Sequence, residues 1–248
     1  MNIIVVNDYH EMSQQAARIL AGQLHDQPRS VLGLATGGTP VGMYRELVRM
    51  HQQGSLSFSQ ASSFNLDEYV GLGADHPCSY RYFMAGHLFD QVNMPSDRVH
   101  IPNGLAMNLN AECQAYEAKI AVSGPIDLQV LGIGHNGHIG FNEPGTPFAS
   151  RTHLVGLTER TIAANARYFS SAAEVPTRAI SMGISTIMDA RRILLLASGA
   201  DKAEIIAAAL YGSVSEAVPA SILQRHPSVT CILDRAAASR LAIPRAAG

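Results

Sequence analysis

Apolar residues in this chain fall into short runs separated by stretches of helical periodicity. The runs at 3–6, 31–35, 62–66, 126–133, 178–182, 193–197 and 229–233 are mostly uninterrupted and rich in aliphatic side chains, as expected of parallel strands buried on both faces. Between them, residues 11–24, 41–51, 79–89, 111–120 and 203–210 carry apolar positions at helical spacing and predict amphipathic helices. The alternation predicts an α/β fold: a doubly wound, mostly parallel, Rossmann-like sheet with helices on both faces. No linker, charge block or fixed-period repeat divides the sequence, so residues 1–248 are read as a single domain.

Composition narrows the function classes. Hydrophobic residues make up 47% of the chain, enough for a sizeable core. Eighteen Lys and Arg against twenty Asp and Glu leave a net charge of -2, so no basic surface points to nucleic acid or an anionic membrane, and a small molecule is the expected partner. Cys78, Cys113 and Cys231 are odd in number and widely spaced, which argues for a reducing compartment. The amino terminus reads as a first strand, not a signal peptide, and no apolar stretch is long enough to span a bilayer. A cytoplasmic protein is expected.

In open α/β sheets ligands bind beyond the carboxyl ends of the strands, and four strand ends here carry unusual residues. Thr36-Gly37-Gly38-Thr39-Pro40 follows the second run; it is either an anion cradle at a helix start, suited to phosphate, or an ordinary tight turn. It is neither a Walker loop nor a dinucleotide fingerprint. Asp67-Glu68 follows the third run, and a carboxylate there is either a desolvated general base or a helix cap. Lys202, after Ser198-Gly199-Ala200-Asp201, stands at a helix start where a cation is unfavourable unless a phosphate lies against it; a solvated surface lysine is the alternative. Arg167 is a second candidate clamp, or a surface residue.

The fourth strand end is the most informative. Gly132-Ile-Gly-His-Asn-Gly-His-Ile-Gly-Phe-Asn-Glu-Pro-Gly145 presents His135, Asn136, His138 and Glu143 in a glycine-dense loop. Glycine weakens regular structure through its backbone entropy but permits sharp turns and close approach to a ligand. The His-x-x-His spacing invites a metal, yet glycines surround the pair and Glu143 is its only nearby carboxylate, so no metal site is expected. An acid/base histidine supported by Glu143 fits better; a loop histidine bonded to backbone is the structural alternative.

Taken together, residues 34–40, 63–72, 76–80 and 132–145, with 149–152, 164–167 and Lys202 in the same order, resemble the glucosamine-6-phosphate deaminases over nearly the whole chain. The resemblance implies a cofactor-free aldose–ketose isomerisation coupled to deamination. In it His138 opens the sugar ring, Asn136 and Glu143 orient and tune it, and Asp67 moves the proton from C2 to C1. Thr36, Gly37, Gly38, Thr39, Arg167 and Lys202 bind the phosphosugar. Asn136 departs from the aspartate of well-studied larger members; it can orient a histidine but cannot stabilise imidazolium with charge. His153 and Val155 replace an arginine and a lysine that bind the activator N-acetylglucosamine 6-phosphate in larger relatives, and the chain lacks their longer carboxyl-terminal segment. The resemblance thus implies a non-allosteric enzyme, a monomer or small homo-oligomer.

Three alternatives remain. 6-Phosphogluconolactonases share the broad fold, but usually show Asp-Glu-Arg where this chain has Asp67-Glu68-Tyr69. A galactosamine-6-phosphate deaminase would differ by one hydroxyl contact. A sugar-phosphate sensor would carry an additional helix-turn-helix, which the strand expected at the amino terminus leaves no room for.

Overall fold

Leu32 and Leu34 pack into one hydrophobic core and Val31 into another. The same division recurs along the central strands: Leu194, Leu196 and Ile232 join the first core, while Ile193, Leu195, Cys231 and Leu233 join the second. Alternate side chains of a strand point to opposite faces, so strands apolar at every position demand helices on both sides. Each large aliphatic side chain buried this way contributes ~1.5–3 kcal/mol.

The computed structural model describes residues 1–166, 169, 171 and 174–241. The elements in chain order are β1 (Asn2–Val6), α1 (Tyr9–Asp26), β2 (Val31–Leu34), α2 (Val41–Gln52), β3 (Ser62–Asn65), β4 (Asp67–Tyr69), α3 (Tyr80–His87), β5 (Val99–His100), α4 (Leu109–Ser123), β6 (Leu128–Leu131), β7 (His153–Gly156), α5 (Glu159–Asn165), β8 (Arg178–Ser181), α6 (Ile184–Met188), β9 (Ile193–Ala197), α7 (Ala203–Tyr211) and β10 (Val229–Asp234). Seven strands form a parallel sheet in the order β1-β10-β9-β6-β2-β3-β5. Helices α1, α2 and α3 supply residues to one core; α4 and α7 supply the other. Among the described residues no helix is long and apolar enough to cross a membrane.

Local chemistry starts the helices where the pattern predicts them. Asp8 accepts from the Glu11 amide at 2.9 Å, and the Glu11 carboxylate accepts from the Asn7 amide at 2.9 Å, a reciprocal cap at the head of α1. Ser79 and Asn108 cap α3 and α4 by accepting from the amide three residues on.

One strand lies elsewhere than expected. Residues 178–182 read as a buried strand of the parallel set, but β8 pairs antiparallel with β4 and β7 in a separate three-stranded sheet. Ala179, Ile180 and Ser181 are buried as fully as the central strands, and burial alone does not tell a strand which partner it has. Asp67-Glu68-Tyr69, read as residues following a strand, themselves form β4.

Candidate active site

The carboxyl ends of β9, β6, β2 and β3 are neighbours in the sheet. The chain passes from β2 outward to β3 and later returns to place β6 on the other side of β2, a change of direction that opens a crevice at this edge. A cavity of about 230 Å³ fills it, lined among others by Thr36, Gly37, Gly38, Thr39, Asp67, Tyr80, His135, Asn136, His138, Thr161 and Lys202.

Asp67 sits in the floor of this cavity with 6% of its surface exposed. Burial, reinforced by the neighbouring charge of Glu68, pushes its carboxyl up to about 8. Glu68 points away to other work. Its carboxylate accepts from the amides of Tyr69, Tyr80 and Arg81, each at 2.9 Å, and so ties β4 to the start of α3. Burial raises Glu68 despite these hydrogen bonds. The two adjacent carboxylates therefore have separate tasks, one facing the cavity and one holding backbone.

The glycine-dense loop folds back over Asp67. A Cβ on Gly140 would lie 3.6 Å from Asp67 Oδ2, and the Phe141 amide donates to Ser181 Oγ on β8 at 3.0 Å. Asn142 is fully buried and donates to the carbonyls of Ile139 and Met182 at 2.8 and 2.9 Å, pinning the turn to the second sheet. His138 Nδ1 lies 3.6 Å from Glu143 Oε1, an ion-pair distance longer than a hydrogen bond, and is buried without a hydrogen-bond partner. Asn136 Nδ2 donates to Glu143 Oε2 at 2.5 Å, and Asn136 Oδ1 accepts from the His138 amide at 3.3 Å. The amide of Asn136 thus reaches the carboxylate and the loop backbone, not the imidazole. Burial would raise Glu143, but the adjacent His138 and the donors Thr161 and Asn136 outweigh it and hold the carboxyl down to about 2.

His135 turns out of the loop and pairs with Asp201, Nε2 to Oδ2 at 2.8 Å, with both side chains about half exposed. It shares no carboxylate with His138, and among the described residues no cluster of three or more His, Cys, Asp or Glu could hold a metal.

At the opposite end of the cavity Gly37 adopts φ 89°, a left-handed backbone that glycine takes without strain, so that Thr36, Gly38 and Thr39 all line the space ahead of α2. The first residue of α2 follows Pro40, whose own side chain caps nothing; the Gly42 amide donates to the Tyr9 hydroxyl at 2.8 Å. Lys202 also lines the cavity, at the end of a 3-10 turn over Ala200–Lys202. Asp234, at the end of β10, holds the segment that leads to it, accepting from Ser198 Oγ at 2.5 Å and from the Gly199 amide at 3.0 Å. Arg167 lies outside the described residues.

Comparison with known proteins assigns the chain to a family. The sequence profile of the glucosamine-6-phosphate isomerases/6-phosphogluconolactonases matches residues 7–232. The chain belongs to this family. A glucosamine-6-phosphate deaminase of Shouchella clausii is 55% identical over 239 residues, 96% of this chain and 97% of that one. The deaminase of Thermoanaerobacter pseudethanolicus is 52% identical over 239 residues, 96% and 94% of the two chains. A solved monomeric glucosamine-6-phosphate deaminase superposes with a TM-score of 0.95 at 52% identity, over 97% of this chain and 100% of that one. A 6-phosphogluconolactonase from Trypanosoma cruzi shares the fold alone, at a TM-score of 0.79 and 21% identity over 98% and 97%.

Within this isomerase/lactonase fold packing brings further residues to the site: Tyr80 and Asn142 lie in the stretches 76–80 and 132–145 that carry the resemblance, while Thr161 and Ser181 lie outside those stretches. Thr161, on α5, lines the cavity and donates to Glu143 Oε1 at 2.5 Å. Tyr80 also lines it, its ring stacked on Phe141 at 6.0 Å and 12° and its hydroxyl 3.2 Å from that of Tyr69. Ser181 and Asn142 hold the loop from behind. Thr161, Tyr80 and Ser181 lie on α5, α3 and β8, and Asn142 lies in the glycine-dense loop itself; Ser181 Oγ and the Met182 carbonyl, at the end of β8, hold that loop. The Ser79 cap was the available clue to Tyr80, since it places that residue at the first position of α3.

Proposed function

We propose that this chain converts D-glucosamine 6-phosphate and water to D-fructose 6-phosphate and ammonia, a cofactor-free step of amino-sugar breakdown in the cytoplasm. The observation that carries the proposal is the cavity itself, where a buried carboxyl at Asp67, an imidazole backed by a carboxylate at His138 and Glu143, and the cation of Lys202 meet. The deaminase relatives at 52–55% identity favour it over the lactonase reading.

The phosphate lies against Gly37, Gly38, Thr39, Lys202 and Arg167, with Thr36 beside it. Fixing this non-reacting end places C1 and C2 against the opposite wall, where binding energy is turned into orientation. His138 takes the proton of the anomeric hydroxyl and delivers one to the ring oxygen, opening the pyranose to the aldehyde. Glu143 stabilises the imidazolium formed in between, and Asn136 orients Glu143. Asp67 in its ionised form removes the C2 proton while a proton passes from the substrate's ammonium group to O1, giving an enolamine, and Asp67 returns its proton at C1. The resulting C2 imine takes up water and loses ammonia, leaving the ketose. Removing Asp67 from water matters here, because a weak carbon acid needs a base that is neither solvated nor displaced. Thr39, Gly37 and Gly38 give neutral donors to the phosphate and Lys202 gives charge, a division that suits a dianion.

The chain is a monomer or small homo-oligomer in this reading, with no nucleic-acid or membrane partner. The test is to incubate the purified protein with glucosamine 6-phosphate in the presence of a chelator and to measure ammonia and fructose 6-phosphate together. Equal amounts of both are expected; absence of ammonia rejects the reading, and dependence on added metal rejects the cofactor-free mechanism. Galactosamine 6-phosphate and 6-phosphogluconolactone in parallel reactions test the rival substrates.

A further inference from the structure

Glu143 Oε1 faces three polar groups. Thr161 Oγ1 reaches it at 2.5 Å, Thr158 Oγ1 at 3.5 Å and His138 Nδ1 at 3.6 Å. Only the first has the geometry of a strong hydrogen bond, and Nδ1 is left buried and unpartnered. A polar ring atom in that position is costly and would ordinarily be satisfied by the carboxylate beside it.

The arrangement around Thr161 explains why the hydroxyl wins. Thr158 caps α5 by accepting from the Thr161 amide at 3.2 Å, and its own hydroxyl donates to Thr161 Oγ1 at 3.0 Å. With that lone pair occupied, the Thr161 proton is free to point at Glu143. Thr161 itself is buried, with 6% of its surface exposed. On the other side, Asn136 fixes Oε2 of the same carboxylate. Glu143 is therefore clamped between α5 and its own loop, just out of hydrogen-bond reach of the imidazole.

We propose that Thr161 is a positioning residue for ring opening: its hydroxyl holds the Glu143 carboxylate back from His138 and so limits how strongly that carboxylate supports the imidazole. The proposal rests on the deaminase reading for its consequence, but the clamp itself is a property of the unliganded protein. The other titratable groups lining the cavity with His138 are Asp67 from β4, Tyr80 from α3, Lys202 from the turn before α7 and His135 from the same loop. Of these and Glu143, only Glu143 makes an ion pair with His138 among the described residues.

Thr161→Val keeps the side-chain shape and removes the donor, and Thr161→Ser keeps the donor. With Val, Glu143 Oε1 is released to accept from Nδ1, and the imidazolium gains a hydrogen-bonded anion. The ring of His138, followed by NMR in the unliganded protein, then titrates at higher pH by about one unit. In kcat/KM the inflection that belongs to the ring moves the same way, since the ring must be neutral to act as a base, while the one set by Asp67 stays. Thr161→Ser is expected to match the wild type in both. In the wild type itself, no low-field resonance of a carboxylate-bound Nδ1 proton is expected from His138, and Thr161→Val is expected to gain one.

A titration unmoved in the Val variant, a shift to lower pH, or a low-field proton already present in the wild type overturns the proposal. Loss of activity in Val without a change in titration also overturns it, by showing a purely structural role. The wild-type spectrum decides the matter even if the Val variant does not fold. These spectra need no substrate, so a protein that releases no ammonia but shows the expected titrations rejects the deaminase reading and leaves the clamp standing.

Discussion

Gly134 lies directly against the imidazole of His138: a Cβ at Gly134 would fall 2.2 Å from Cε1 and 2.3 Å from Nε2 of the ring. The backbone closes the same contact, since the Gly134 amide donates to the His138 carbonyl at 2.9 Å. The ring is thus seated on bare backbone, a packing no other residue type at 134 permits.

Gly134→Ala is accordingly expected to displace the ring and not merely to destabilise the loop. A shift of about 1 Å in a reacting group costs roughly 100-fold in rate. The check is kcat measured beside KM. A loss confined to kcat, with the phosphate end still binding, is the expected outcome; an unchanged kcat would show that the ring has room to spare.

Asp67 gives a pH dependence with a definite sign. Its carboxyl is raised to about 8 by burial and by Glu68, so the free enzyme holds it largely protonated at neutral pH. The ionised base accumulates as pH rises toward 8, and kcat/KM is expected to climb over that interval. Asp67→Asn should abolish proton transfer at every pH.

The same shift bears on stability. A carboxyl raised on folding binds its proton more tightly in the native state, so its contribution is fully present below the unfolded value near 3.8 and is lost as pH rises through about 8. The cost grows by at most about 1.4 kcal/mol per pH unit across that window. Asp67→Asn is therefore expected to raise Tm at pH 8 and to leave it nearly unchanged at pH 4; a Tm lowered at pH 8 would show that the carboxylate is stabilised by a partner.

Asn136→Asp would replace the donor on Glu143 Oε2 by a second carboxylate. The added negative charge near the imidazole raises its affinity for a proton, and the acid limb of the rate profile is expected to move to higher pH. An unmoved limb would show that residue 136 only shapes the loop.

Val155 is buried in the cluster formed with Tyr69, Phe141, Leu157 and Ala179, and His153 Nδ1 bonds the Arg151 carbonyl at 2.8 Å. Neither position carries the arginine or lysine that would give a phosphorylated effector a permanent cation. Substrate saturation is expected to be hyperbolic and indifferent to N-acetylglucosamine 6-phosphate; sigmoidal kinetics relieved by that sugar would refute it.

The parallel sheet and the catalytic candidates were legible in the sequence because both depend on local signals. Strands buried on two faces, such as β9, must be apolar at every position, and Gly37 and Gly134 sit at a left-handed turn and a close ring contact that favour glycine. What the sequence by itself determined was the set of groups at four strand ends: Thr36 to Thr39, Asp67, His138 and Lys202. Tertiary structure decided how they divide their work. That Asp67 faces the cavity while Glu68 holds three amides depends on β4 turning away into a second sheet, and a buried run such as 178–181 does not encode whether its partner is parallel or antiparallel. Thr161 reaches Glu143 only because α5 packs beside a loop eighteen residues earlier in the chain. A hydroxyl's meaning comes from what lies within hydrogen-bond reach, and that is settled by packing across the chain.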